Sequence, residues 1–261
     1  MKFAAFPIVG AFALSAATAA MGASTAQSAP LTLPHSTAIP VRFEHSIDAK
    51  HAKAGDKVTA RTMQVIALPD GNSIPKGAAL TGHVATIAGY RFDTTPYAHQ
   101  QPSSLSIHFD KLETGNAEIP VNLSVRAIAS TIDSTEASYP HGADETDHPG
   151  MITLIGGMTF SPLGKTILSE DGDAIAYNRK GGTFARLAAS GACEATETEQ
   201  SIAIFSPNAC GAYGLGGGYL QSSGRDGSGT FTLALRGHSM KLYAGTTALL
   251  ETTPAAPETK Q

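Results

Sequence analysis

The sequence predicts an all-β fold, an antiparallel β-barrel carrying a Gly-rich, disulfide-stapled insertion. Three observations carry that prediction. Several short runs alternate apolar and polar residues with period 2: Leu105, Ile107 and Phe109 against Ser106, His108 and Asp110; Val121, Leu123 and Val125 against Asn122, Ser124 and Arg126; Phe231, Leu233 and Leu235 against Thr232, Ala234 and Arg236. Turn chemistry separates such runs, most clearly at Pro69-Asp70-Gly71-Asn72. No long segment places apolar residues at helical spacing, and many short strands joined by turns favour a barrel or sandwich.

In chain order, Lys2 precedes an uncharged apolar run from Phe3 to about Ala17, and small residues follow at Ala17-Thr18-Ala19 and Ser24-Thr25-Ala26. A basic start, an apolar middle and a small-residue cleavage site are the pattern of a Sec-type signal peptide. The expectation is an exported bacterial protein, periplasmic or secreted. The competing reading keeps the segment as an uncleaved anchor, since Phe3 to Ala20 carries no charge and can just span a bilayer. Its many Ala residues and Pro7 weigh against that. Residues 1–28 are thus the signal peptide and the start of a Ser/Thr/Ala/Pro-rich linker, and 29–38 are the rest of the linker.

Residues 39–251 form the expected barrel domain, with 131–228 as loop and insertion. Lys57 to Ala67, rich in Val, Thr and Ile, leads into the turn at 69–72, and Ala79 to Ile87 is the returning strand. Arg91 to Pro102 reads as a polar loop. Thr131 to Gly150 holds five carboxylates, two Pro and no Lys or Arg, and reads as a long exposed loop. In the Gly-rich stretch from Met151 to Tyr219, Asp171-Gly172-Asp173 is a turn entering a strand at Ala174–Tyr177, and Phe184 to Leu187 reads as one or two helical turns. Strand pattern returns at Gly229. Met240–Tyr243, the turn Ala244-Gly245 and Thr246–Glu251 form the last hairpin, and 252–261 are a disordered tail.

Composition narrows function. The chain has 261 residues, 27 Gly, no Trp and 15% charged residues, with a formal charge of −4 that becomes more negative once Lys2 leaves with the signal. A mildly acidic chain has no electrostatic reason to bind nucleic acid. Past Ala20 no long uncharged apolar run occurs, so no transmembrane segment is expected after cleavage. Both cysteines, Cys193 and Cys210, follow the signal, and two cysteines in an oxidising compartment predict a disulfide. A metal site and a free reactive thiol are the alternatives.

The catalytic motifs fail one by one. Gly237-His238-Ser239-Met240-Lys241 begins like a nucleophile elbow, but Lys stands where Gly is needed, and no His follows to complete a triad. Gly214-Leu215-Gly216-Gly217-Gly218 lacks the Lys-Ser/Thr of a phosphate loop. At Asp171 and Asp173, Ile175 occupies the third ligand position of a calcium loop. His141, Asp144, Asp147 and His148 are the candidate metal ligands. The Pro and Gly around them favour a solvated loop over a rigid cage, so no catalytic residue and no cofactor is assigned.

Further residues carry a family likeness. Ile39-Pro40, Ser46-Ile47-Asp48, Ala54-Gly55-Asp56-Lys57-Val58-Thr59-Ala60, and above all Ile74-Pro75-Lys76-Gly77-Ala78-Ala79-Leu80-Thr81-Gly82-His83-Val84 resemble the barrel domain of conjugal-transfer scaffold proteins, the outer-membrane core subunits of type IV secretion systems. Leu105 to Leu112, Leu242-Tyr243-Ala244-Gly245-Thr246 and Leu249-Leu250 extend the likeness. The insertion, through Tyr177-Asn178-Arg179-Lys180-Gly181-Gly182 and Ala209-Cys210-Gly211-Ala212-Tyr213-Gly214, resembles a group of exported bacterial proteins with the same barrel. The resemblance implies a fold, not a chemistry. The scaffold family also carries an N-terminal membrane helix, a long Pro-rich linker and an apolar helical antenna, none of which is expected here. The expectation is a non-enzymatic cell-envelope barrel presenting loops to a protein or cell-wall partner. The alternative is an exported hydrolase or metal-dependent enzyme using the His141–His148 loop.

Overall fold

In a computed structural model of the chain, the residues described are 33–92, 94–115, 117–138, 152–157, 159–160, 164–168 and 171–254. The first half contributes β1 (Ala38–Phe43), β2 (Ile47–Asp48), β3 (Lys57–Thr62), β4 (Ile66–Ala67), β5 (Ser73–Ile74), β6 (Ala79–Ala88), β7 (Ser103–Thr114), β8 (Ala117–Pro120) and β9 (Leu123–Ala129), followed by helix α1 (Thr131–Glu136). Then come β10 (Ile152–Thr153), β11 (Thr159–Phe160), β12 (Thr166–Leu168), β13 (Ala174–Arg179), β14 (Gly182–Ala185), β15 (Gln200–Ser201), β16 (Gly211–Tyr213), β17 (Tyr219–Ser222), β18 (Thr230–Leu235), β19 (Lys241–Leu242) and β20 (Thr247–Thr252).

The main sheet is ten-stranded, in the order β16-β9-β20-β1-β3-β6-β7-β18-β17, with β8 hairpinned onto β7. It curls into a nearly closed barrel. Between its ends, Val125 N–H donates to Ser223 O at 2.8 Å and Asn122 Nδ2 to Gly227 O at 3.2 Å. Closure of this kind removes the open edges that would otherwise template aggregation. Every neighbouring pair is antiparallel except β16 and β9, which run parallel, so the sheet is mixed. The last strand sits beside the first, with Ala38 opposite Glu251 and Val41 opposite Ala248.

Alternation fills the interior. Ile39, Val41 and Phe43 of β1, Leu80 and Val84 of β6, Leu105, Ile107 and Phe109 of β7, and Phe231 and Leu233 of β18 form one buried cluster. Phe109 lies between Phe43 and Phe231, with ring centroids 5.9 and 6.2 Å away. Each such side chain contributes about 1.5–3 kcal/mol by leaving water.

On β9 the register slips between Leu249 and Leu250, which face Ala127 and Val125 and leave Arg126 without an opposite residue. Such a bulge reverses the inside–outside parity of the residues after it. Leu123 and Val125 point inward, whereas Ala127 and Ala129 point out and join a second core with Ala38, Leu154, Ile155, Ile167, Leu187, Ile202 and Phe205. That second core is the insertion, whose sheet runs β12-β13-β14-β15, packed on the small residues of the barrel's outer wall.

Several details differ from the sequence expectation. Residues 131–136 form a helix rather than loop: Ser130 Oγ accepts from Asp133 N–H at 3.1 Å, and Asp133 complements the helix start. Phe184–Leu187 is not helical; Phe184 pairs with Tyr177 on one side and Ser201 on the other, in β14. The barrel sheet takes in β16 and β17 from the stretch read as loop and insertion. Thr252, read as tail, is the last residue of β20. Among the described residues no helix is long and apolar enough to cross a membrane. The signal segment lies outside the described residues.

Candidate functional site

The two cysteines are bonded, with an S–S distance of 2.05 Å and Cα atoms 6.0 Å apart. The bond lies against a buried charge network. Arg126, re-aimed by its bulge, is wholly buried, and its guanidinium donates to Glu251 Oε1 at 2.9 Å and to the carbonyls of Ala209, Glu194, Ala188 and Pro207. Arg225 Nη2 reaches the other Glu251 oxygen at 3.2 Å. Each charge is paired and each guanidinium nitrogen of Arg126 has an acceptor, the condition under which a buried ion pair is tolerated. Alternation marks Arg126 only as outward-facing; the insertion that covers it is invisible in the strand itself. This network joins barrel to insertion.

The motif at Gly237–Lys241 covers the turn after β18 and the first residue of β19. Ser239 Oγ lies 3.4 Å from Asp48 Oδ1, and Met240 N–H donates to Ser103 Oγ at 2.8 Å. His141, Asp144, Asp147 and His148 fall outside the described residues. Among the described residues no group of three or more His, Cys, Asp or Glu is arranged to hold a metal.

A cleft opens where the insertion meets β1 and β3. Its volume is about 740 Å³, and its lining includes Arg42, Arg61, Met63, Lys76, Gly181, Gly182, Ala203 and Ile204. Its back is a polar clamp. Gln64 is buried; its amide accepts from Thr183 N–H at 2.9 Å and donates to Thr183 O at 2.7 Å. Val65 N–H donates to Gly181 O at 3.1 Å, and Ser201 Oγ donates to Val65 O at 2.5 Å. Only glycine fits the turn that receives this clamp. Gly181 and Gly182 have φ of 110° and 145°, and a Cβ on Gly182 would overlap the Gln64 amide.

The cleft's charge comes from strand register. Arg42 on β1 stands directly opposite Arg61 on β3. Arg61 donates through Nε to Glu44 Oε1 at 2.6 Å and through Nη1 to Gly77 O at 3.0 Å. That hydrogen bond holds the Glu44 carboxyl below its ordinary range, against a smaller opposing effect of burial. Lys76, in the turn before β6, adds a third cation to the lining. Ala203, on the rim, has φ of 50°, a left-handed conformation that costs a non-glycine residue about 1–2 kcal/mol. Sequence reasoning missed this site, because its cations are single residues in separate strands and turns. The available signal was the pairing of two strands that each carry an outward Arg.

No protein-family model, no curated protein and no solved structure matches the chain.

Proposed function

We propose that this protein is a non-enzymatic, exported cell-envelope barrel that receives a partner, a protein or a cell-wall polymer, in the cleft between barrel and insertion. The observation that carries the reading is the cleft itself, about 740 Å³ of open space at the junction of two packed units. Ligand sites favour such junctions and volumes of this order. The strained backbone of Ala203 on its rim supports it, since left-handed non-glycine residues gather at ligand clamps. The signal pattern of residues 1–28, the disulfide and the resemblance to secretion-scaffold barrels support the envelope location.

The test is a photo-crosslinking amino acid placed at Met63 in the cleft or at Lys53 in the exposed turn before β3, in intact cells. Adducts at position 63 and none at 53 are expected in the envelope fraction. A protein that stays cytoplasmic, or equal adduct yields at the two positions, overturns the reading.

A further inference from the structure

We infer that the cleft recognises an acidic peptide segment of a partner protein. The inference rests on the cleft being the binding site and adds what it binds. The chain carries a formal charge of −4, yet the cleft lining holds Arg42, Arg61 and Lys76 and, among the described residues, no carboxylate. Local charge is thus opposite in sign to the whole.

The arrangement also opposes stability. Arg42 and Arg61 face each other across β1 and β3, and like charges at directly opposed positions destabilise a sheet. Glu44 offsets one of the two through Arg61, leaving the side chains of Arg42 and Lys76 without an ion pair or hydrogen bond among the described residues. Arg61 keeps Nη2 free as well, since Nε is engaged by Glu44 and Nη1 by Gly77 O. A carboxylate seated between Arg42 and Arg61 turns the repulsion into charge-assisted hydrogen bonds, for which the planar guanidinium fork is suited.

The rest of the lining points to a peptide rather than a phosphate polymer. Met63, Ala203 and Ile204 add apolar groups to the cationic lining. A peptide alternating acidic and aliphatic residues satisfies both kinds of group, whereas a polyphosphate chain has nothing to offer the apolar ones.

The experiment uses the complete mature protein and fluorescence anisotropy with three probes: a labelled octapeptide alternating Glu and Leu, the same peptide with Gln for Glu, and inorganic polyphosphate as competitor. The Glu peptide is expected to bind at least about tenfold more tightly than the Gln peptide, with affinity falling steeply as salt rises. The double variant Arg42→Gln/Lys76→Gln is expected to lose about tenfold or more of that affinity while melting no lower than the wild type, since it removes one of the two opposed like charges. Equal binding of the Glu and Gln peptides, or no effect of the double variant, overturns the acidic specificity. Polyphosphate outcompeting the Glu peptide at equal charge overturns the choice of peptide. Met63→Trp fills the cleft without changing its charge and separates the two readings. If both peptides bind equally and both are lost in Met63→Trp, the cleft stands and its charge specificity falls. If no binding responds to Met63→Trp, both fall.

Discussion

Arg225 Nη2 lies 3.1 Å from the Cys193 sulfur. A guanidinium at that distance stabilises negative charge on Cys193 if the disulfide is opened. Cys193 is only 4% exposed, whereas Cys210 is half-buried. Burial and charge therefore favour the same direction of attack: an external thiolate adds to Cys210, and Cys193 leaves as the thiolate beside Arg225. A leaving thiol of lower pKa leaves faster. Arg225→Gln is expected to slow reduction by dithiothreitol about threefold or more, and Arg225→Lys to restore most of the rate. Mass spectrometry of quenched samples measures the rate and identifies the alkylated sulfur. Faster reduction in Arg225→Gln would show that Arg225 shields the bond instead of polarising it.

The Arg126 network makes a stability prediction. Arg126→Ala leaves four carbonyls with an acceptor site empty and removes one partner of a buried ion pair, a change that costs about 3–5 kcal/mol. Arg126→Met, which keeps volume, is expected to cost less. Denaturant unfolding of the oxidised protein measures both. A cost for Arg126→Ala within ~0.5 kcal/mol, the range of ordinary surface substitutions, would mean the network adds nothing net.

The clamp between barrel and insertion can be broken at one atom. Gly182→Ala places a methyl group where the Gln64 amide sits, at φ of 145°. Destabilisation of about 2 kcal/mol or more is expected, with insertion loops cut by protease before the barrel. Gln64→Ala should reproduce the proteolytic pattern without the backbone strain.

Glu44 gives a pH dependence of known sign. Its folded-state pKa is lowered chiefly by the Arg61 hydrogen bond. Its stabilising contribution is therefore present above the unfolded pKa, about 4.3, and is lost as pH falls through the folded value. The pair is substantially exposed, so Glu44→Gln should change stability at neutral pH by no more than about 1 kcal/mol and flatten the acid limb of the curve below about pH 4. In the same variant the acidic peptide should bind more tightly, because a competing carboxylate is gone.

The C-terminal strand is a wall of the barrel, not one arm of the hairpin the sequence suggests: β19 pairs with β2 in a separate two-stranded sheet. β20 pairs with β1 on one side and β9 on the other. A chain ending at His238 loses that strand and with it Leu242, Ala248 and Leu250 of the interior. Loss of the cooperative thermal transition is expected by calorimetry, although most of the deleted contacts lie in the N-terminal half. A truncated chain melting at the full-length midpoint would show that the N-terminal strands close without it.

The barrel was legible where one face of a strand is buried and the other is not. Leu105, Ile107 and Phe109 alternate with polar neighbours and sit inside as expected, and the Asp70-Gly71 turn joins β4 to β5. The disulfide was legible from the count of two cysteines and the expectation of an oxidising compartment. The helix at 131–136 was not, because six residues are too few to show a period and its evidence is one cap at Ser130. The outward burial of Arg126 was not, because it depends on a bulge and on a second layer more than fifty residues away in sequence. The cleft was not, because Arg42 and Arg61 become neighbours only through register.

The pairing of first and last strands also sets a clock. Thr37 N–H is bonded to Thr252 Oγ1 across 215 residues of sequence. At translation rates of 5–20 residues per second, β1 waits on the order of ten to forty seconds for its outer neighbour to be made. Throughout that interval the segment that becomes β1 has no β20 to pair with, so the barrel of the folded chain can close only after synthesis of its last strand. For this chain, whatever keeps β1 from pairing with the wrong partner in the meantime is as much a condition of reaching the native state as the packing of its core.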